Sequence, residues 1–89
     1  MSEMSFEGKY VHKYSNLAIH YHCRYWFKPI GVVYEADAGF AGTKKTRLAL
    51  GVITWGIRAI PPRFRLKRSI QTSIDNIDIE KFRAAVERA

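Results

Sequence analysis

In the segment Arg63-Phe64-Arg65-Leu66-Lys67-Arg68, cations alternate with apolar side chains. On a β-strand, Arg63, Arg65 and Lys67 project from one face, two residues or about 6.6 Å apart. That is close to the spacing of phosphates along an extended nucleic-acid strand. Arginine adds paired donors that fit phosphate oxygens. In this reading Phe64 and Leu66 anchor the strand to a core behind it, and Arg68 extends the charge. The competing reading is a solvated edge strand whose cations discourage aggregation.

A second basic stretch, Gly39-Phe40-Ala41-Gly42-Thr43-Lys44-Lys45-Thr46-Arg47, contains two glycines. Backbone N–H groups in such a loop can nest an anion, with Lys44, Lys45 and Arg47 adding charge. The spacing does not match a phosphate-binding Walker loop. The chemistry expected is contact with phosphate, not nucleotide hydrolysis.

Catalytic and metal signatures are weak. His20 and His22 fall on one strand face, with His12 a candidate third imidazole. A zinc site needs a third and usually a fourth ligand, and Cys23 points the other way on a regular strand. Burial would also make Cys23 a poor nucleophile. No positioned nucleophile accompanies the histidines, so an enzyme is not expected. No metal or other cofactor is expected either.

Aromatic residues are numerous: Tyr10, Tyr14, Tyr21, Tyr25, Trp26 and Trp55 among them. Tyr21 and Tyr25 share a core-like face. Trp26, beside Arg24, is the candidate for stacking on an unpaired base. Trp26, Arg24 and Tyr34 are equally suited to anchor a protein partner, because aromatic residues and arginine dominate protein interfaces.

The charge has an address. Between Asp37 and Asp75 lie eight basic residues and no acid: Lys44, Lys45, Arg47, Arg58, Arg63, Arg65, Lys67 and Arg68. The stretch before is neutral, with four of each sign, and the tail from Asp75 has four acids and three bases. The net +7 therefore sits in the middle of the chain. An anionic partner follows, either DNA or RNA or an acidic protein surface. The leading expectation is a small, non-enzymatic nucleic-acid-binding module. The alternative is a protein-interaction module, an inhibitor or accessory subunit, docking on an acidic surface.

At 89 residues a single small domain is expected, and its modest core leaves room for a homodimer to add stability. Hydrophobic residues at 47% argue against disorder. No run reaches the ~18 apolar residues of a membrane span. The first residues do not resemble a signal peptide, and the lone Cys23 suits a reducing compartment. A cytoplasmic location is expected. Small size and basicity also suit a phage- or plasmid-encoded protein.

These residues need elements to position them. Residues 1–8 are polar and expected to be frayed, and residues 9–14 allow a short strand. Residues 17–27 give the clearest strand, with Leu17, Ile19, Tyr21, Cys23, Tyr25 and Phe27 on one face and Ala18, His20, His22, Arg24 and Trp26 on the other. Pro29 forces a tight connection to a second strand over residues 31–37. Residues 46–60 match both strand and helix spacings, and their glycines and β-branched residues favour a strand. Pro61-Pro62 ends it, residues 63–70 are a further strand, and residues 71–77 a polar turn. Asp75 or Asp78 caps a final helix with Ile79, Phe82 and Val86 as its apolar stripe. The expected fold is α+β: a mostly antiparallel sheet of four or five strands with one C-terminal helix. This order is unlike a βαββαβ RNA-binding module or a double-stranded-RNA domain. A five-stranded oligonucleotide-binding barrel is compatible if residues 9–14 pair.

Overall fold

A computed structural model gives the fold and describes residues 3–56 and 62–89. Arg58, and the last part of the strand expected over residues 46–60, lie outside the described residues. The elements are β1 (Met4–Val11), β2 (Ala18–Lys28), β3 (Gly31–Gly39), β4 (Thr46–Thr54), α1 (Pro62–Asn76) and α2 (Ile79–Arg88). The four strands form an antiparallel meander in the order β1-β2-β3-β4. The fold is therefore α+β, with two C-terminal helices where one was expected.

The alternation in β2 and β3 works as the sequence suggests. Ile19, Tyr21, Cys23 and Tyr25 are buried, as are Val32, Tyr34, Ala36 and Ala38 on β3. Because side chains alternate, these residues share the face that the helices cover. Pro29 and Ile30 form the two-residue connection between the paired Lys28 and Gly31. Gly31 must lack a side chain, since a Cβ there would collide with the Ile53 carbonyl of β4. The first strand starts at Met4, inside the stretch expected to be frayed. Phe6 and Tyr10 pack on the core and hold it there.

The β3–β4 register contains one irregularity. Ala36 pairs with Ala49, but Asp37 pairs with Arg47, so Leu48 is an extra residue. Side-chain period is two, so an inserted residue flips everything that follows it. The bulge lets Leu48 pack against the core and returns Arg47 to the open face beside Asp37.

Residues 63–70 are helical, which corrects the strand expected there. The deciding feature is the spacing of Leu66, Ile70 and Ile74, each four residues apart and all fully buried in α1. Six residues of alternation cannot distinguish a strand from a helix, but the stripe extends through residues 71–77, where a polar turn was expected. Pro62 suits the first helical position, where no N–H is needed. The hydroxyls of Thr72 and Ser73 donate to the carbonyls of Arg68 and Ser69 at 3.0 and 3.1 Å, so polar residues fit inside the helix.

α2 starts as expected at Asp78, whose carboxylate accepts from the N–H groups of Glu80 and Lys81 at 3.1 and 3.3 Å. Phe82 and Val86 are its buried stripe. Two side-chain bonds join α1 to the sheet. The Tyr34 hydroxyl meets Ser69 Oγ at 2.6 Å, and the Tyr10 hydroxyl donates to Asp75 at 2.9 Å. Gly51 makes the first possible, because the Tyr34 ring lies across it. The molecule is 17 Å along its thinnest axis, enough for one sheet and one helical layer. Among the described residues the second sheet face is uncovered.

Candidate functional site

A helix turns about 100° per residue, so α1 distributes its cations differently from a strand. Arg63, Arg65 and Lys67 do not form one row. Arg63 and Lys67, one turn apart, lie over the Phe6 ring of β1, 5.6 and 5.9 Å from its centre. Arg65 and Arg68 lie on the β4 side. With Ile53, Phe64, Ser69 and Thr72 they line an open groove of about 310 Å³. Phe64 stands between the two pairs and is 58% exposed. It is not the core anchor that alternation implied; Leu66 alone fills that role.

Among the described residues this basic half-helix has no neutralising partner of its own. α1 has no acid in its first turn. Its one acid, Asp75, accepts from the Tyr10 hydroxyl and the Lys13 N–H, at 2.9 and 3.0 Å. Every ion pair among the described residues belongs to Arg24, Glu35, Asp37 and Arg47. The positive end of the helix dipole adds to the four side-chain charges.

Lys44 and Lys45 are exposed in the β3–β4 connection, where Gly39 hands over to Thr46. The α1 cations lie beside Phe6 and Ile53, toward the other end of the strands. The fold therefore makes two basic patches instead of one. The loop is closed on itself: Thr43 Oγ1 accepts from the Phe40 N–H at 3.0 Å, and the Thr43 N–H donates to the Phe40 carbonyl at 3.1 Å. Those two N–H groups are thus engaged within the loop. Arg83 of α2, which sequence patterning did not single out, stacks on the Phe40 ring at 5.7 Å and joins this patch.

Arg24 and Arg47 are on the open sheet face, but their charge is matched. Arg24 contacts Glu35 and, at 3.6 Å, Asp37; Arg47 reaches the same two acids at 3.2 and 3.4 Å. The register produces this by placing Arg24 opposite Glu35 and Asp37 opposite Arg47. Trp26, opposite Val33, is half-buried on the same face. Tyr34, expected to join Arg24 and Trp26 as an anchor, is buried on the covered face instead.

His20 and His22 share the open face, but His12 is not with them. It is buried in the β1–β2 connection, where its Nδ1 accepts from the Ser15 N–H at 3.0 Å. Among the described residues no three potential ligands gather to hold a metal. Cys23 is buried, and that burial, with Glu35 adding to it, pushes its thiol up to about 12. It stays a thiol at neutral pH. Tyr10 is also raised, first by its hydrogen bond to Asp75, and Tyr21 is raised first by burial.

No protein-family model, curated protein or solved structure matches the chain. No helix among the described residues is long and apolar enough to cross a membrane.

Proposed function

We propose that this protein is a small, non-enzymatic module that binds single-stranded nucleic acid along the exposed face of α1. The observation that carries this reading is Phe64, an exposed aromatic ring flanked by Arg63, Arg65, Lys67 and Arg68. Bases stack on such a ring, and the surrounding cations take the phosphates on either side. A double helix hides its base faces, so the exposed ring favours an unpaired strand. The patch of Lys44, Lys45 and Arg83 extends the positive field and suits the continuation of a longer strand. Arg24 and Arg47 contribute little, since Glu35 and Asp37 already match them.

Fluorescence anisotropy with a labelled single-stranded oligonucleotide at about 50 mM salt tests the reading. Micromolar binding that weakens steeply with salt, and again on Phe64→Ala, is the expected result. Binding that ignores both Phe64→Ala and the joint change of Arg63, Arg65, Lys67 and Arg68 to Gln would remove it.

A further inference from the structure

β4 is an edge strand, and among the described residues its outer edge is unpaired. From Leu48 to Thr54 it carries no charge and no proline. Natural edge strands are usually blunted by charges, prolines or cover, because their free N–H and C=O groups recruit another strand. The opposite edge, β1, has Glu7 and Lys9. On the open face, β4 also exposes Leu50 and Val52. On the other face, Ile53 opens into the groove with Phe64, Arg65 and Arg68.

We infer that the β4 edge is a docking site for an extended acidic peptide, added as a fifth strand. An added strand pairs with the free backbone groups of β4, and its side chains alternate between the two faces. Those on the helix side enter the groove, where the guanidiniums of Arg65 and Arg68 favour carboxylates. Those on the open side meet Leu50 and Val52, which favour apolar residues. The groove residues supply no carboxylate of their own, so charge complementarity selects the occupant. A second copy of this chain would bring another pair of α1 arginines to the same edge and be repelled. A nucleic acid would satisfy the arginines but leave the β4 backbone unpaired. Since Arg65 and Arg68 serve both ligands, an acidic peptide displaces nucleic acid from that side of α1. The site itself does not depend on nucleic-acid binding.

The test uses a capped peptide of about eight residues alternating Glu and Val, which matches a typical strand length. Its control has the same composition with all Glu before all Val. Amide NMR and hydrogen exchange on the full chain read the site at about 150 mM salt, where exposed charges are screened beyond ~8 Å. Binding of the alternating peptide should slow exchange at amides within Leu48–Thr54, and the control should bind about tenfold more weakly. Arg65→Gln with Arg68→Gln should weaken the alternating peptide by at least about tenfold, because both charge-assisted pairs with its carboxylates are lost. Arg68 is exposed and Arg65 half-buried at the groove, neither is ion-paired among the described residues, and Gln is a good helix former, so the double variant keeps its fold. Equal binding of the two peptides, or no slowing in β4, overturns the proposal and leaves plain charge attraction. Slowing that rises with protein concentration without peptide overturns it in favour of a second copy. The same slowing with a single-stranded oligonucleotide overturns it in favour of nucleic acid. An oligonucleotide that fails to bind while the peptide does removes only the nucleic-acid reading.

Discussion

Phe64 shows how much one residue's setting changes its meaning. Alternation with arginines pointed it into a core, whereas the helix turns it out to solvent between two pairs of cations. This makes stability and binding separable. Phe64→Ala should change unfolding free energy by no more than about 0.5 kcal/mol, as for other exposed positions. It should weaken single-stranded nucleic acid by about 1–3 kcal/mol, the usual loss for one stacked base. Denaturant melts alongside anisotropy titrations measure both. Cys23 shows the reverse case, since its alternation was read correctly and its chemistry follows. The fold favours its thiol over the thiolate more strongly than the unfolded chain does. The folded value of about 12 exceeds the ordinary one, so the contribution is fully present below about pH 9 and is lost as pH rises toward 12. Tyr10 and Tyr21 are raised too and act in the same direction. Urea midpoints should therefore be flat near neutrality and fall above about pH 9, with a shallower fall in Cys23→Ala. A midpoint that rises with alkali would contradict the burial of Cys23 and Tyr21 and the Tyr10–Asp75 hydrogen bond.

Among the elements, α2 was legible and α1 was not. Asp78 is a local signal: its carboxylate reaches N–H groups two and three residues away, so no distant residue is needed to place the helix start. Asp78→Ala should cost about 1 kcal/mol by losing that cap. The α1 stripe needs the sheet to give it value. Leu66, Ile70 and Ile74 are fully buried because the sheet lies beneath them. Ile70→Ala should cost about 2–5 kcal/mol, well above the cap, since it leaves a cavity between two layers. Chemical denaturation of the two variants ranks them. A cost for Ile70→Ala below that of Asp78→Ala would mean that α1 does not pack as described. The β4 bulge belongs here as well. One inserted residue, Leu48, decides that Arg47 faces Asp37 and not the helices, and no local motif announces it.

For the whole molecule, the net charge of +7 lies outside the ion-paired quartet on the open face, whose own charges cancel. Arg24 and Arg47 are matched by Glu35 and Asp37, while the α1 cations and the Lys44–Lys45 loop form separate patches. Single-strand affinity should fall with salt by roughly 0.7 log units per log unit for each phosphate neutralised. Neutralising Arg63, Arg65, Lys67 and Arg68 together should remove most of that slope. Neutralising Lys44 and Lys45 should remove a smaller part, and for a short oligonucleotide almost none. Neutralising Arg24 should leave the slope unchanged and lower stability, because it leaves Glu35 and Asp37 side by side with Arg47 as their one cationic partner among the described residues. Affinity measured over a salt series for the three variants orders these contributions. An Arg24 variant that lost as much slope as the α1 variant would show that the quartet opens to the ligand.

The sequence alone determined what depends on near neighbours. Period-two burial in residues 17–37, the tight turn at Pro29, the Asp78 cap and the placement of charge between Asp37 and Asp75 are all set within a few residues. Tertiary structure decided what depends on pairing between distant segments. The sheet beneath α1 turned an alternating basic stretch into a helix, because only burial of Leu66, Ile70 and Ile74 distinguishes the two periods. Strand register matched Arg24 and Arg47 to acids far from them in sequence. Strand order left β4 at an edge, and only the packing of α1 beside that edge put two arginines next to free backbone. A sequence carries charge and periodicity along one line, but which charges remain unmatched is settled by which lines the fold lays side by side.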